Sequence, residues 1–132
     1  MTLDLDICYD RADDNLALLA DTLQEIRACL RGAPPGLPFK PDAATLRAGL
    51  NFTFDTTLGP LDILGEITGV GDYAAAAKDA RQGSWGPHRI RVISLEKLIA
   101  SKKAVRRAKD LAALEQLEAI QRAGQARPNV EG

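Results

Sequence analysis

The chain has 132 residues, of which 45% are hydrophobic and 27% charged, a balance typical of one globular domain with one core. Its formal net charge of -1 excludes nucleic-acid binding through overall positive charge, so any site for a polyanion has to be a local patch. Two cysteines, Cys8 and Cys29, are too few for a disulfide framework. Because the sequence also shows no long apolar run and no signal peptide, it predicts a cytoplasmic protein with reduced thiols and no membrane partner.

The first elements follow from hydrophobic spacing. Residues 3–9 alternate between apolar and polar side chains, which favours a strand with Asp4 and Asp6 on one face. Apolar residues then recur at helical spacing over residues 16–30, and Gly32 is a natural helix end. The sequence therefore predicts a strand followed by a long helix.

The middle of the chain is rich in turn signals. Residues 33–49 contain four prolines and predict an irregular loop. Residues 50–55 and 60–64 favour two strands joined as a hairpin. A short helix is predicted over residues 72–81, with Asp72 as its N-cap.

The last third predicts a strand and two helices. Residues 82–87 are predicted to form a turn-rich loop that tucks Trp85, the only tryptophan, against the core, and residues 88–93 favour a strand. Ser94 can cap a helix that starts at Leu95. A final helix is predicted over residues 108–122.

The order of these elements predicts an α+β fold with a mixed or antiparallel sheet and helices packed on it. Residues 1–122 are expected to form the domain. Residues 123–132 are polar, contain glycine and proline, and predict a disordered tail.

Three acidic residues are the first candidates for a site. Carboxylates two residues apart on a strand point the same way, about 7 Å apart, so Asp4 and Asp6 can hold one or two magnesium ions. Asp62 interrupts an apolar run, where a carboxylate usually has a partner or a metal. Two alternatives stay open, a solvated strand face for Asp4 and Asp6 and an arginine partner for Asp62. Asp55 competes as a third acid, although its place near the hairpin turn favours a capping role.

A basic segment near the end of the chain is the second candidate. It consists of Lys102, Lys103, Arg106, Arg107 and Lys109. A solvated helix face is the plain interpretation, and Asp110 can pair with Arg106 or Arg107 as a brace. Helical spacing nevertheless puts Lys102 on the apolar face with Leu98, where it either snorkels or reaches an acid or a phosphate.

The acidic motif resembles a known family. Residues 2–7 read Thr-Leu-Asp-Leu-Asp-Ile, which is similar to the acidic signature of the nucleotidyltransferase superfamily, whose fold is shared with the palm of DNA polymerase beta. The order of segments is most similar to bacterial nucleotidyltransferase-like proteins related to abortive-infection toxins. The segments that carry this resemblance are residues 2–7, 15–16, 30–34, 51–53, 61–65, 92–99, Lys102 and 107–111.

The resemblance implies a metal-dependent transferase. Asp4, Asp6 and Asp62 would bind Mg²⁺, and Asp62 would help to activate the attacking hydroxyl. The implied reaction moves a nucleotidyl group from a nucleoside triphosphate such as ATP to a hydroxyl and releases pyrophosphate.

The resemblance also implies roles for the basic segment. Lys102, Arg107 and Lys109 would contact phosphate or brace the acids. The acceptor stays open between RNA, a protein and a small molecule. Self-association is expected, because family members carry a further N-terminal helix whose loss would expose apolar surface.

Two other hypotheses compete with a working enzyme. In the family, the N-terminal helix and a Gly-Gly or Gly-Ser turn precede the acidic strand and hold the triphosphate, whereas Asp4 here follows Met1 closely. The expected fold is therefore an N-terminally truncated version, which favours a non-catalytic binding domain within a toxin–antitoxin system. The third hypothesis is an α+β domain whose acids serve no activity.

Overall fold

The computed structural model describes residues 5–34 and 36–125, and for Gln125 the backbone alone. The predicted site residue Asp4 lies outside the described residues, as do residues 126–132 of the predicted tail. The fold is α+β with mixed and antiparallel sheets, so the predicted fold class is confirmed at this level. Over the described parts of the chain, no helix is long and apolar enough to cross a membrane.

Eight strands and four helices follow one another in the described residues. The strands are β1 (Leu5–Cys8), β2 (Cys29–Leu30), β3 (Asn51–Thr56), β4 (Gly59–Leu64), β5 (Glu66–Ile67), β6 (Gly71–Asp72), β7 (Arg81–Trp85) and β8 (His88–Val92). The helices are α1 (Asp13–Glu25), α2 (Ala43–Ala48), α3 (Tyr73–Ala77) and α4 (Leu95–Gln125).

The main sheet has the strand order β1-β4-β3-β2. β1 runs parallel to β4, whereas the β4–β3 and β3–β2 pairs are antiparallel. β5–β6 and β7–β8 form separate antiparallel pairs. The β1–β4 pair, which is the one parallel pair among the described residues, brings the first strand beside the second strand of the hairpin.

One face of the main sheet carries the core. Leu16 and Leu23 of α1, Leu46 of α2, and Phe54 and Ile63 of the sheet are fully buried. Because side chains alternate along a strand, this burial leaves every second residue of β1, β3 and β4 on the other face. We call that other face the open face, and it carries Asp6, Asn51, Thr53, Asp55 and Asp62.

The predicted first helix is wrong beyond Glu25. Arg27 has a φ of 53°, and the N–H of Ala28 donates to the carbonyl of Leu23 at 2.9 Å, which ends α1. Cys29–Leu30 then pairs with β3 as a strand. The apolar spacing continued past the helix because Leu30 also packs against the core from β2.

The predicted loop over residues 33–49 is wrong at its end. The prolines stop at Pro41, and the Asp42 carboxylate then accepts a hydrogen bond from the N–H of Thr45 at 2.8 Å. This N-cap starts α2, whose Leu46 is fully buried. A short helix with one buried side chain leaves too little periodicity to be seen in the sequence.

The last third differs in two elements. The predicted loop over residues 82–87 is mostly strand β7, joined to β8 through Gly86, whose φ is 61°. Trp85 is not tucked into the core, since 75% of it is exposed. The two predicted helices are one helix of 31 residues, α4, which continues past the predicted domain end to Gln125.

Two predicted helix caps are confirmed. The Asp72 carboxylate accepts from the N–H of Ala75 at 3.0 Å, and the Ser94 hydroxyl accepts from the N–H of Lys97 at 3.2 Å. These caps fix the starts of α3 and α4. The start of α4 in turn sets where its cations lie.

Candidate site on the open face of the sheet

The structure brings Asp6 and Asp62 together. In the parallel β1–β4 pair, Asp6 is the register partner of Asp62. Register partners share a face of the sheet, and neighbouring strands lie about 4.8 Å apart. The two carboxylates therefore stand side by side on the open face, with Asp6 exposed and the side chain of Asp62 26% exposed.

This juxtaposition follows from the apolar neighbours of the acids. Ile7 packs against the core from β1, and Leu61 and Ile63 do so from β4. Each strand thus has its core face fixed by its own apolar residues, and a slip of one residue would put the carboxylate into the core.

Arg31 binds the acid on β4. Its guanidinium lies 3.0 Å from Asp62 Oδ1 and 3.3 Å from Asp55 Oδ1, and it donates to the carbonyl of Phe54 at 2.8 Å. Burial lowers the pKa of Arg31, but the hydrogen bond to Asp55 and the charge of Asp62 outweigh it, so that the pKa is raised overall. The ion pair is the arginine partner that the sequence left open for Asp62.

Asp55 does not cap the hairpin. Thr56 closes the turn instead, because its hydroxyl donates to the carbonyl of Gly59 at 2.7 Å and accepts from the N–H of Leu58 at 3.0 Å. Asp55 faces Arg31 as the second carboxylate of the ion pair. Among the described residues, the open face therefore carries Asp6, Asp55 and Asp62 in neighbouring strands, and one guanidinium binds both Asp55 and Asp62.

The donor chemistry of Asp6 and Asp62 fits a hard divalent cation. Magnesium prefers carboxylate oxygens, and two adjacent carboxylates repel each other unless positive charge lies between them. Over residues 5–34 and 36–125, however, no group of three histidine, cysteine or acidic side chains is placed to hold a metal. The described residues thus supply two of the three predicted ligands, and the third, Asp4, lies outside them.

A cleft beside Asp6 carries cations from α4. Its volume is about 530 Å³, and we call it the basic cleft after the three cations that α4 contributes, although three acids line it as well. The charged side chains that line it are Asp6, Glu66, Lys102, Arg106, Lys109 and Asp110. Two of the three predicted phosphate ligands, Lys102 and Lys109, therefore share a cleft with a predicted metal ligand.

Arg107 does not line the basic cleft, whereas Arg106 does. Residues 102, 106 and 109 recur at helical spacing and share one face of α4, while Arg107 is turned away and exposed. Arg106 was not among the predicted phosphate ligands, although its helical spacing from Lys102 could have identified it as a cleft residue. Arg106 also lies 3.9 Å from Asp110, the pairing that was predicted as a brace.

Gly69 sets how closely α4 approaches the turn between β5 and β6. It has a φ of 82°, and a Cβ there would lie 2.7 Å from Ala104 Cβ and 2.9 Å from the carbonyl oxygen of Ala100. Lys97 adds a second attachment, because its ammonium donates to the carbonyl of Ala75 and lies 3.5 Å from Asp79. Small residues at this crossing therefore let α4 pack closely on the β5–β6 turn.

Comparison with protein-family models, curated proteins and solved structures found no match to this chain. The function is therefore inferred from the side chains of the open face and of the basic cleft.

Proposed function

We propose that this chain is a nucleotidyltransferase-like protein of the cytoplasm that transfers a nucleotidyl group from a nucleoside triphosphate to a hydroxyl. The observation that carries the proposal is the parallel register of Asp6 beside Asp62. A support is the basic cleft, which places Lys102 and Lys109 next to the same Asp6.

In this proposal the acidic residues bind the metal and the basic residues bind the triphosphate. Asp6 and Asp62, with Asp4, would hold Mg²⁺, which when bound neutralises phosphate charge and favours ionisation of the attacking hydroxyl. Lys102 and Lys109 would attract the triphosphate and orient it for in-line displacement. Asp62 would accept a hydrogen bond from the acceptor hydroxyl and help to activate it.

Calorimetric titration with ATP in the presence of Mg²⁺ tests the proposal. The wild-type chain should bind the nucleotide, and Asp6→Asn should remove the magnesium-dependent part because one carboxylate ligand is lost. Asp21→Asn is the matched control, since Asp21 is an exposed carboxylate on α1. Absence of any magnesium-dependent ATP binding by the wild-type chain would overturn the enzyme proposal.

Arg31 favours a second candidate, a non-catalytic nucleotidyltransferase-like domain that binds a partner within a toxin–antitoxin system. The guanidinium already neutralises Asp62 at 3.0 Å, as a structural ion pair would. On this alternative the same titration shows no ATP binding by the wild-type chain, and Arg31→Gln does not create it.

Self-association is a further part of the proposal. The second half of α4 leaves four large apolar side chains more than half exposed, namely Leu111, Leu114, Leu117 and Ile120. Contiguous apolar surface of this kind is what subunit contacts cover. Sedimentation equilibrium measures the expected dimer directly, and a monomer across the accessible concentration range would contradict it.

A further inference from the structure

A second cavity adjoins the basic cleft. It has a volume of about 780 Å³, and we call it the apolar pocket. It lies between the β1 edge of the main sheet, α3, the β7–β8 hairpin and the start of α4. Its apolar wall includes Cys8, Tyr73, Ala77, Trp85, Ile90 and Leu98.

Asp6 and Lys102 line both the apolar pocket and the basic cleft. They therefore lie where a cleft lined by three cations and three acids meets a pocket with a mainly apolar wall. A ligand in the apolar pocket can present a polar atom to Asp6 while its body stays away from Arg106 and Lys109, which line the cleft but not the pocket.

The apolar pocket has the size and lining of a small-molecule site. Such sites enclose about 300–1,000 Å³ and combine apolar walls with a few polar groups at fixed positions. Trp85 is 75% exposed, Leu98 41% and Ile90 39%, so large apolar surfaces are left facing this space. A ligand that covers them gains the free energy of removing apolar surface from water.

We propose that the apolar pocket binds the acceptor of the transfer, and that this acceptor is a small, mainly apolar molecule whose hydroxyl lies beside Asp6. The assignment of the ligand as acceptor rests on the function proposed above. RNA fits less well, because the wall is mainly apolar and a volume of about 780 Å³ matches a small molecule rather than a charged polymer. The base of the nucleotide also fits less well, since most of the wall is apolar and would leave its polar rim without hydrogen bonds.

The transfer balances with the nucleoside triphosphate as the only co-reactant. The acceptor oxygen forms a bond to the α-phosphorus, and the bond from that phosphorus to the bridging oxygen of pyrophosphate breaks. Pyrophosphate leaves with the electron pair, and the hydroxyl proton passes to solvent. Asp6 orients the acceptor oxygen for this step, beside its register partner Asp62, which would accept the hydrogen bond from the hydroxyl.

Titration with 1-naphthol, an apolar aromatic molecule with one hydroxyl, tests the proposal by calorimetry and by quenching of Trp85 fluorescence. Trp85 is the only tryptophan and lines the pocket, so its emission reports the site. We expect one equivalent to bind. Ala77→Phe, which fills the pocket, should weaken binding about tenfold or more.

Two further variants keep the result interpretable. Ile90→Ser changes a half-exposed wall residue without adding volume and should also weaken binding, so a folding defect of Ala77→Phe alone cannot decide the outcome. Leu58→Ala is the matched control, because Leu58 is an exposed apolar residue of the β3–β4 turn that does not line the pocket. It should bind 1-naphthol as the wild-type chain does.

Competition separates this proposal from the proposed function. Binding of 1-naphthol that persists in saturating ATP and Mg²⁺ supports an acceptor site. Displacement by ATP would show that the pocket takes the nucleotide base and would overturn the proposal, as would failure of 1-naphthol to bind. If 1-naphthol binds and ATP does not, the result overturns both the proposed nucleotidyltransferase function and the assignment of the pocket ligand as its acceptor.

Discussion

At the residue scale, the charge balance around Asp62 decides what the open face can do. Asp6 and Asp62 are register partners, and like charges in that position destabilise a sheet. Arg31 offsets this at Asp62 and also binds Asp55. A divalent cation bound by Asp6 and Asp62 would have to compete with that guanidinium.

Replacement of Arg31 measures this competition. We expect Arg31→Gln to strengthen magnesium binding about fivefold, because a positive charge within about 4 Å of a metal ligand repels the ion even at the surface. Arg31→Lys keeps the charge and is the matched control, which should leave the affinity near that of the wild-type chain. Calorimetric titration with Mg²⁺ gives both values, and equal affinities for all three chains would contradict the prediction.

Asp42 makes part of the stability depend on pH. Hydrogen bonds from the backbone of Thr45 hold the pKa of Asp42 below its usual range. A group with a lowered folded-state pKa stabilises the fold above its unfolded pKa of about 3.9, and this contribution is lost as the pH falls through the folded value. The free energy of unfolding in urea should therefore fall between pH 5 and the acid range.

Asp42→Asn separates this residue from the other acids. The amide oxygen can still cap α2, but it does not titrate. The variant should lose less stability than the wild-type chain over the same pH interval. Identical losses would show that the Asp42 cap does not contribute to the acid sensitivity.

At the element scale, the site depends on how α4 crosses the turn between β5 and β6. The cap at Ser94 fixes its first turn, and the contact of Gly69 with Ala100 and Ala104 fixes its distance. Since Lys102 follows within the same turns, a shift of α4 would move the basic cleft and the apolar pocket together. The elements around the crossing are therefore as important to the site as the charged residues.

Gly69→Ala tests the crossing. The added Cβ would meet both alanines of α4 at under 3.0 Å, which costs about 1–3 kcal/mol beyond the cost of the left-handed backbone. Gly36→Ala is the matched control, because Gly36 has a φ of 86° with nothing within 4 Å of the added atom. Urea unfolding should show a larger loss for Gly69→Ala, together with faster hydrogen exchange at the start of α4.

At the scale of the whole molecule, stability is concentrated on one side of the main sheet. The fully buried large side chains all come from α1, α2, β3 and β4. By contrast, every side chain described from residue 105 to residue 124 of α4 is exposed. The strands that carry Asp6 and Asp62 therefore pack directly on the core. The cations lie on α4, which is mostly exposed.

This distribution predicts where substitutions matter. Phe54→Ala should lower the free energy of unfolding by about 3–5 kcal/mol, because Phe54 is fully buried and stacks against Phe52. The centroids of the two rings are 5.8 Å apart. Leu58→Ala, at a position 83% exposed in the hairpin turn, should change it by less than about 0.5 kcal/mol. Chemical unfolding measures both free energies. Similar losses for the two variants would contradict the assignment of Phe54 to the core.

The sequence by itself determined the local features. Alternation fixed the first strand and the hairpin strands, and the polar side chains of Asp72 and Ser94 fixed two helix starts. These features depend on neighbours within a few residues, so they can be read without the fold. The α+β class followed from them.

Only the tertiary structure decided the site. The parallel register that pairs Asp6 with Asp62 depends on both strands packing on one core, and the sequence does not encode which strands become neighbours. The same holds for Arg31, which reaches Asp62 only because Cys29–Leu30 leaves the helical path and pairs with β3. Lys102 and Arg106 rather than Arg107 line the basic cleft because the docking of α4 selects the helix face that meets the sheet.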